Sequence, residues 1–269
     1  MPKPLQLYGI VGESISYTLS PLIYNSLFLD AGINALYVTF DLPSNRVKRF
    51  VTLAEEIRMS GFNVTVPHKE LVVRYLHRLD PIATATGSVN LVLRRRGKLD
   101  GFNTDYAGIK TTIENRLRLN LHGKHVVVLG TGGAARTVVY YLAQTSCSSI
   151  TIVSRQLRER RSWRSYLNQV HCADRTDLLT YDELPRRAAP IDLLINCTPL
   201  AASALLGTRL RARCRALFEL RYSPSFNDSR RHVDGKYMLA VQAAANWYLM
   251  TGRTVAPARI LKIISGARA

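Results

Sequence analysis

The chain has 269 residues, 47% of them hydrophobic, with 37 Lys+Arg against 19 Asp+Glu and a formal net charge of +18. That size and apolar content suit one large domain or two modest ones with real cores. The arginines fall in short groups, Arg94-Arg95-Arg96, Arg158 to Arg161, Arg186-Arg187, Arg211 to Arg215 and Arg230-Arg231, with no zinc-finger or RNA-recognition motif beside them, so the charge predicts an arginine-biased surface that favours small anions rather than a specific nucleic-acid face. Cys147, Cys172, Cys197 and Cys214 are widely spaced and form no C-x-x-C pair, which reads as buried thiols of a reducing compartment and not as a disulfide frame or a metal site. The opening "MPKPLQLYGIVG" lacks the apolar core of a signal peptide, and no later run approaches about 18 uninterrupted apolar residues. A cytoplasmic protein that does not enter the membrane is expected.

In chain order, "LQLYGIV" is a strand. "SPLIYNSLFLDAG" is a helix with Ser20 as N-cap, Pro21 at its first helical position and Gly32 as its stop. "ALYVTFDL" is a strand, "SNRVKRFVTLAEEIRMSG" an amphipathic helix ending at a glycine, "GFNVTVP" a third strand and "HKELVVRYLHRL" a helix. "VNLVLRRRGKLDGFNTD" reads as a hairpin turned at Gly97. A second unit opens at "HGKHVVVLGTGGAARTVVYYLAQ", with further strands in "SSITIVSR", "PIDLLINCTP" and "CRALFELRY". The tail segments "GKYMLAVQAAANWYLMTG" and "PARILKIISGA" are helical by pattern. The alternation predicts an α/β protein of two lobes. Residues 1–106 with the returning helices of 238–269 would form an α/β unit with a mainly parallel sheet, and residues 107–237 a Rossmann-type unit.

In "LGTGGAAR", Gly130, Gly132 and Ala135 fit G-x-G-x-x-G/A between a strand and a helix, with Thr131, Gly133 and Ala134 filling the turn. Such a turn lets backbone approach a pyrophosphate, and the helix start offers free N–H groups and the positive end of a dipole. A glycine turn in any βαβ unit could look the same, but the next strand sharpens the reading. It ends in Ser154-Arg155, with Arg158 and Arg160 following, where an NAD enzyme usually carries an acid for the ribose hydroxyl. Arginine there can pair with a 2′-phosphate, so NADP (as NADPH) is the expected cofactor.

Asn90 in "GSVN" and Asn103-Thr104-Asp105 in "GFNTD" lie at the two ends of the hairpin, and Asn63 and Thr65 on the strand before it. With Lys69 these would converge at one sheet edge. Thr18 and Ser20 put two hydroxyls at the first helix N-terminus, a natural seat for a carboxylate. Gln242 interrupts the apolar face of "MLAVQAAANWYL". Each taken singly has a duller account, such as a cap, a turn residue or a surface ion pair; their joint occurrence favours a site.

The segments "GFNVTVPHKE", "GSVN", "GFNTD", "LGTGGAAR", "INCTP" and "DGKYMLAVQAA" resemble, in order and spacing, the shikimate dehydrogenase family over nearly the whole chain. The resemblance implies an NADP-dependent oxidoreductase of aromatic amino acid biosynthesis, in the chorismate pathway, that reduces 3-dehydroshikimate to shikimate in a cleft between lobes, as a monomer or homodimer. By motif position, Lys69 and Asp105 would be the catalytic pair. Thr18 and Ser20 would hold the carboxylate, Thr65, Asn90 and Gln242 the ring hydroxyls, and Tyr222 would stand at the substrate. Thr198, Leu220, Gly235 and Met238 would stand at the cofactor. An ammonium at Lys69 can donate a proton to the ring oxygen as hydride reaches the carbon, with Asp105 orienting it.

Several positions depart from the family pattern. Tyr17-Thr18-Leu19-Ser20-Pro21 replaces His-Ser-x-Ser-Pro, Leu200-Ala201-Ala202 follows "NCTP" where a glycine is usual, and Tyr237 replaces a glycine after "DG". The segment between Tyr222 and Gly235 is short. These departures keep three alternatives open: a quinate or aminoshikimate dehydrogenase, a non-catalytic NADP-binding regulator and, on charge alone, a nucleic-acid binder.

Overall fold

A computed structural model describes residues 4–155, 160–186, 190–206, 213–222, 229 and 231–266. Arg158, the side chains of Arg160 and Arg186, and Arg187, Arg211 and Arg230 lie outside the described residues. The chain divides into two compact units, Met1–Asp105 with Ala240–Ala269, and Tyr106–Leu239. Among the described residues, no helix is long and apolar enough to cross a membrane.

The first unit holds a six-stranded sheet of β1 (Gln6–Gly12), β2 (Ala35–Asp41), β3 (Gly61–Val64), β4 (Arg78–Leu79), β5 (Leu91–Arg95) and β6 (Lys98–Phe102), in the order β2-β1-β3-β5-β6-β4. β1 pairs in parallel with β2 and β3, through crossovers carrying α1 (Ser20–Asp30) and α2 (Val47–Glu56), while β5 runs antiparallel to both β3 and β6. One face of this sheet packs Val11, Phe62 and Val64 against Val47, Phe50 and Val51 of α2. Tyr8 stacks on Phe28 of α1, and Phe28 packs on Trp247. The hairpin turns at Arg96-Gly97, both with positive φ (51° and 81°), which matches the right-handed twist of its strands.

Three local expectations are corrected. Ser20 does not cap α1: it is the first helical residue, Leu19 occupies the cap, and no side-chain cap bond forms. Helix α2 stops before Gly61, with Arg58 in the left-handed region (φ 56°), and Gly61 opens β3. Residues 68–79 form turns, a 3-10 helix at Val72–Tyr75 and the short β4 rather than one α-helix. There the backbone is claimed by distant partners: Lys69 O accepts from Val89 N, and His77 N donates to Leu99 O, both at 2.9 Å. Short α3 (Pro81–Thr86) follows, capped by Asp80 accepting from Ala83 N.

The second unit begins within α4 (Asp105–Thr111) and contains β7 (His125–Leu129), α5 (Gly133–Ala143), β8 (Ser149–Ser154), α6 (Arg160–Gln169) and β9 (Thr176–Thr180). β10 (Leu193–Asn196), α7 (Ala202–Leu205), β11 (Leu217–Glu219) and β12 (His232–Val233) follow. Its sheet is wholly parallel, ordered β9-β8-β7-β10-β11-β12. Numbered within the unit this is 3-2-1-4-5-6, the dinucleotide-binding order, whose direction reverses between β7 and β10. Alternate strand residues serve opposite cores: Val126 and Val128 pack with Ile150 and Ile152, Val127 and Leu129 with Leu194 and Leu217. Helix α8 (Gly235–Thr251) belongs to the second unit up to Leu239 and to the first from Ala240, and α9 (Pro257–Gly266) lies in the first.

Candidate active site

In the first unit the C-terminal end of β3, the start of β5 and the end of β6 share one edge. The antiparallel pairing of β5, rather than a parallel one, brings Asn63, Asn90 and Asn103 there. Lys69 is held on its turn by its neighbour: His68 is wholly buried, with Nε2 2.8 Å from Leu42 O. Lys69 Nζ lies 2.5 Å from Asp105 Oδ2, their side chains 17% and 5% exposed. A carboxylate this buried needs an ion pair and hydrogen bonds together. Asp105 has both, since its Oδ1 accepts from Asn90 Nδ2 at 2.9 Å.

Asn90 is the centre of the cluster. Its Oδ1 accepts from Thr104 N at 2.8 Å, and its Nδ2 also lies 2.9 Å from Thr104 Oγ1 and 3.0 Å from Gln242 Oε1. Asn246, wholly buried one helical turn after Gln242, accepts from Thr104 Oγ1 at 2.6 Å. Its Nδ2 donates to Tyr24 Oη at 3.0 Å and to Gln242 Oε1 at 3.2 Å. The Gln242 carbonyl is thus engaged, while its amide NH₂ has no hydrogen bond among the described residues.

Beside this cluster Tyr24 and Tyr37 stack at 4.6 Å. Tyr37 Oη donates to Asn63 Oδ1 at 2.7 Å, and Asn63 Nδ2 donates to Asn90 O at 2.8 Å. Burial pushes both phenols above their ordinary range, Tyr37 further by the nearby Tyr24; Ser20, hydrogen-bonded to Tyr37, opposes the shift. Ser20 is therefore buried and engaged, whereas Thr18 is half-buried, its Oγ1 3.4 Å from Ser20 N. Thr65 is half-buried and its hydroxyl has no hydrogen bond among the described residues. Tyr24, Tyr37, His68 and Asn246 were missed in the sequence. The one available signal was Asn246, four positions after Gln242 and so on the same helical face.

In the second unit Gly130 closes β7 at φ 103°, a conformation suited to glycine, and a Cβ there would stand 3.1 Å from Thr198 Cγ2. The glycine turn and Thr198 therefore adjoin at the switch point. Thr198 is fixed by Asn196, whose Oδ1 accepts from its N and Oγ1 at 3.0 and 2.8 Å. Asn196 Nδ2 donates to the buried Glu219 at 2.6 Å, a contact with no sequence signal. Gly132 caps α5, Gly133 and Ala134 open it, and Ala135 is buried. Trp163 Nε1 donates to Thr131 O at 3.3 Å.

A Cβ on Gly132 would meet no atom within 4 Å, so the protein's own packing does not require that glycine, whereas an approaching pyrophosphate would. Ser154 is buried at the end of β8 and Arg155 exposed, near enough to lower the phenol of Tyr181, which burial raises. The residues present fit a dinucleotide with a 2′-phosphate. Gly235 abuts Leu220, whose O would lie within 2.0 Å of any added Cβ, and Met238 is buried in the core. Tyr222 and Tyr237 are half-buried.

Residues 10–92 match the family described as shikimate dehydrogenase substrate binding domain, and residues 112–214 that described as shikimate / quinate 5-dehydrogenase. The shikimate dehydrogenase (NADP(+)) of Caldanaerobacter subterraneus subsp. tengcongensis is 31% identical over 260 residues, covering 92% of each chain. That of Symbiobacterium thermophilum is 31% identical over 267 residues, covering 93% of this chain and 90% of the relative. Shikimate dehydrogenase 1 from Peptoclostridium difficile has the same fold, with a TM-score of 0.83 at 24% identity and 97% of each chain covered. The doubly wound sheet with its glycine turn, and the polar cluster on a separate mixed sheet, are those of an α/β oxidoreductase. Within that class, the chain belongs to the shikimate dehydrogenase family.

Proposed function

We propose that the protein catalyses the reversible, NADP-dependent reduction of 3-dehydroshikimate to shikimate. The observation that carries the reading is the Lys69–Asp105–Asn90–Gln242 cluster, set in a chain whose relatives are named for that reaction. NADPH, when bound, supplies the hydride. Gly130 to Ala135 would hold its pyrophosphate at the α5 N-terminus, and Ser154 and Arg155 its 2′-phosphate. Thr198, Leu220, Gly235 and Met238 would line the remainder of its seat.

Lys69 Nζ, as an ammonium, hydrogen-bonds the ring ketone oxygen and gives it a proton as charge builds there; in the reverse direction the amine takes the hydroxyl proton. Asp105 holds the ammonium, and Asn90 fixes Asp105 from the other side. The free NH₂ of Gln242 and the uncommitted hydroxyl of Thr65 are suited to ring hydroxyls, with Tyr222 as a further substrate contact. Thr18, with the more deeply set Ser20, would receive the ring carboxylate.

Thr18 carries a methyl where the family has serine, so a quinate-type or amino-substituted acid is the competing substrate. Shikimate, quinate and aminoshikimate, each assayed with NADP and with NAD, decide the matter. Shikimate with NADP should give the highest kcat/KM, and a preference for quinate or for NAD would displace the reading.

A further inference from the structure

Apart from Arg155, the proposed chemistry gives no role to the described arginines of the basic groups, and the parallel sheet of the second unit brings two of them, Arg215 and Arg231, to one end. Because all six strands run the same way, the residues that lead into them share the edge opposite the glycine turn. Lys124 precedes β7, Asp192 precedes β10, Arg215 leads into β11 and Arg231 into β12. The five residues of β7 separate this edge from the dinucleotide end by roughly 17 Å.

A cavity of about 390 Å³ lies there, with Leu119, Leu121, Leu193 and Ala216 contributing apolar surface and Lys124, Arg215 and Arg231 bringing positive charge. Among the described residues lining the cavity, Asp192 is the one carboxylate. Asp192 Oδ1 lies 3.5 Å from both Lys124 Nζ and an Arg215 Nη, while its Oδ2 accepts from His125 N at 3.0 Å. Both ion pairs are longer than good hydrogen bonds, and the Lys124 and Arg215 side chains are 40% and 68% exposed. Among the described residues the cavity is thus lined by three cations and one carboxylate beside an apolar surface, a surplus of positive charge in a volume within the range of small-molecule sites.

We infer that this cavity binds a small organic dianion with an apolar body, of the phosphomonoester class. The phosphoryl group would be held by Arg215 and Arg231, whose planar forks match its oxygens, with Lys124 adding charge, and the apolar body would lie on the leucines.

Phenyl phosphate titrated calorimetrically into the full chain saturated with NADP+ tests the assignment, because the cofactor keeps the probe from the glycine turn. Binding should weaken at least about tenfold in the Arg215→Ala/Arg231→Ala variant, from the loss of charge-assisted hydrogen bonds. It should tighten in Asp192→Asn, which keeps an oxygen for His125 N and removes the competing charge. Inorganic phosphate, without the ring, should bind at least about tenfold more weakly. Affinity unchanged in both variants, equal affinity for inorganic phosphate, or binding lost once NADP+ is present would each overturn the assignment. The readout is heat of binding, so it stands apart from which ring acid the enzyme turns over.

Discussion

Thr104 Oγ1 donates to Asn246 Oδ1 at 2.6 Å, joining residues separated by 142 positions. Asn246 also donates to Tyr24 and Gln242, so it ties the returning helix α8 to the edge that carries Asn90. Asn246→Ala would leave the buried Tyr24 hydroxyl without its Asn246 donor, at about 1–3 kcal/mol for a buried group left unsatisfied, and would shift the Thr104 hydroxyl onto Asn90 Oδ1, 3.1 Å away. Urea unfolding should record that loss, and steady-state kinetics should show a raised KM for the ring acid with the KM for NADPH unchanged. Wild-type stability together with a wild-type KM would refute this positioning role.

Lys69 and Asp105 are a coupled prediction. Lys69→Ala should lower turnover by about 10²–10⁴-fold, the usual worth of a positioned proton donor, while NADPH affinity in equilibrium titration stays near wild type. Unchanged turnover would remove Lys69 from the mechanism. The same variant leaves a buried carboxylate with Asn90 as its remaining partner among the described residues, so its midpoint in urea should also fall.

Two glycines should respond in opposite ways. Gly235→Ala would place a Cβ 2.0 Å from Leu220 O, a backbone atom that no rotamer change can move aside. It should cost about 1–3 kcal/mol or more in stability. Gly132→Ala meets nothing within 4 Å and has an extended backbone that alanine tolerates, so stability should stay within about 0.5 kcal/mol. Its effect should appear in NADP affinity, measured by fluorescence titration; unaltered affinity would take Gly132 out of the cofactor seat.

Arg155 is exposed at the end of β8, and in its proposed role replacing it with aspartate would exchange a phosphate partner for a ribose-hydroxyl acceptor. Arg155→Asp should raise the NAD/NADP ratio of kcat/KM at least about tenfold, the scale set by one lost charge-assisted contact. A parent enzyme with no preference between the two cofactors would contradict the assignment before any variant is made.

Burial raises the phenols of Tyr24, Tyr37 and Tyr141, Tyr37 and Tyr141 with added pressure from neighbouring groups. A group whose folded value is raised stabilises the fold below its unfolded value, about 10 for tyrosine, and loses that contribution as pH climbs towards the folded value. The melting temperature should therefore fall steeply above about pH 10. Phenolate absorbance should lag behind that of free tyrosine until unfolding releases it. A flat melting curve across that interval would show the phenols to be solvated.

Much of the site could be read along the chain because its parts are local motifs. The glycine turn, the Asn-Thr-Asp at the end of β6 and the Arg96-Gly97 hairpin turn each combine residue type with immediate backbone geometry. Tyr24 and Tyr37 left no such trace, and Asn246 only its spacing from Gln242: an asparagine or tyrosine in an amphipathic helix or strand looks alike whether it faces water or a buried partner. The segment 68–79 shows the opposite failure. Its apolar spacing suits a helix, yet its carbonyl and amide groups pair with Val89 and Leu99, and long-range hydrogen bonds overrode local propensity.

By itself, then, the sequence determined the strand–helix alternation up to β3, the Rossmann-type second unit with its glycine turn and the residue types available to chemistry, because each depends on periodicity or on contacts within a few positions. Only the tertiary structure decided which side chains meet. It set Asn90 between Asp105 and Gln242, made Ser20 a buried partner of Tyr37 rather than a cap, and drew scattered arginines to one end of a sheet. Those outcomes depend on strand direction and on the packing of segments remote in the chain, where burial leaves each polar group only the partner that the fold brings to it.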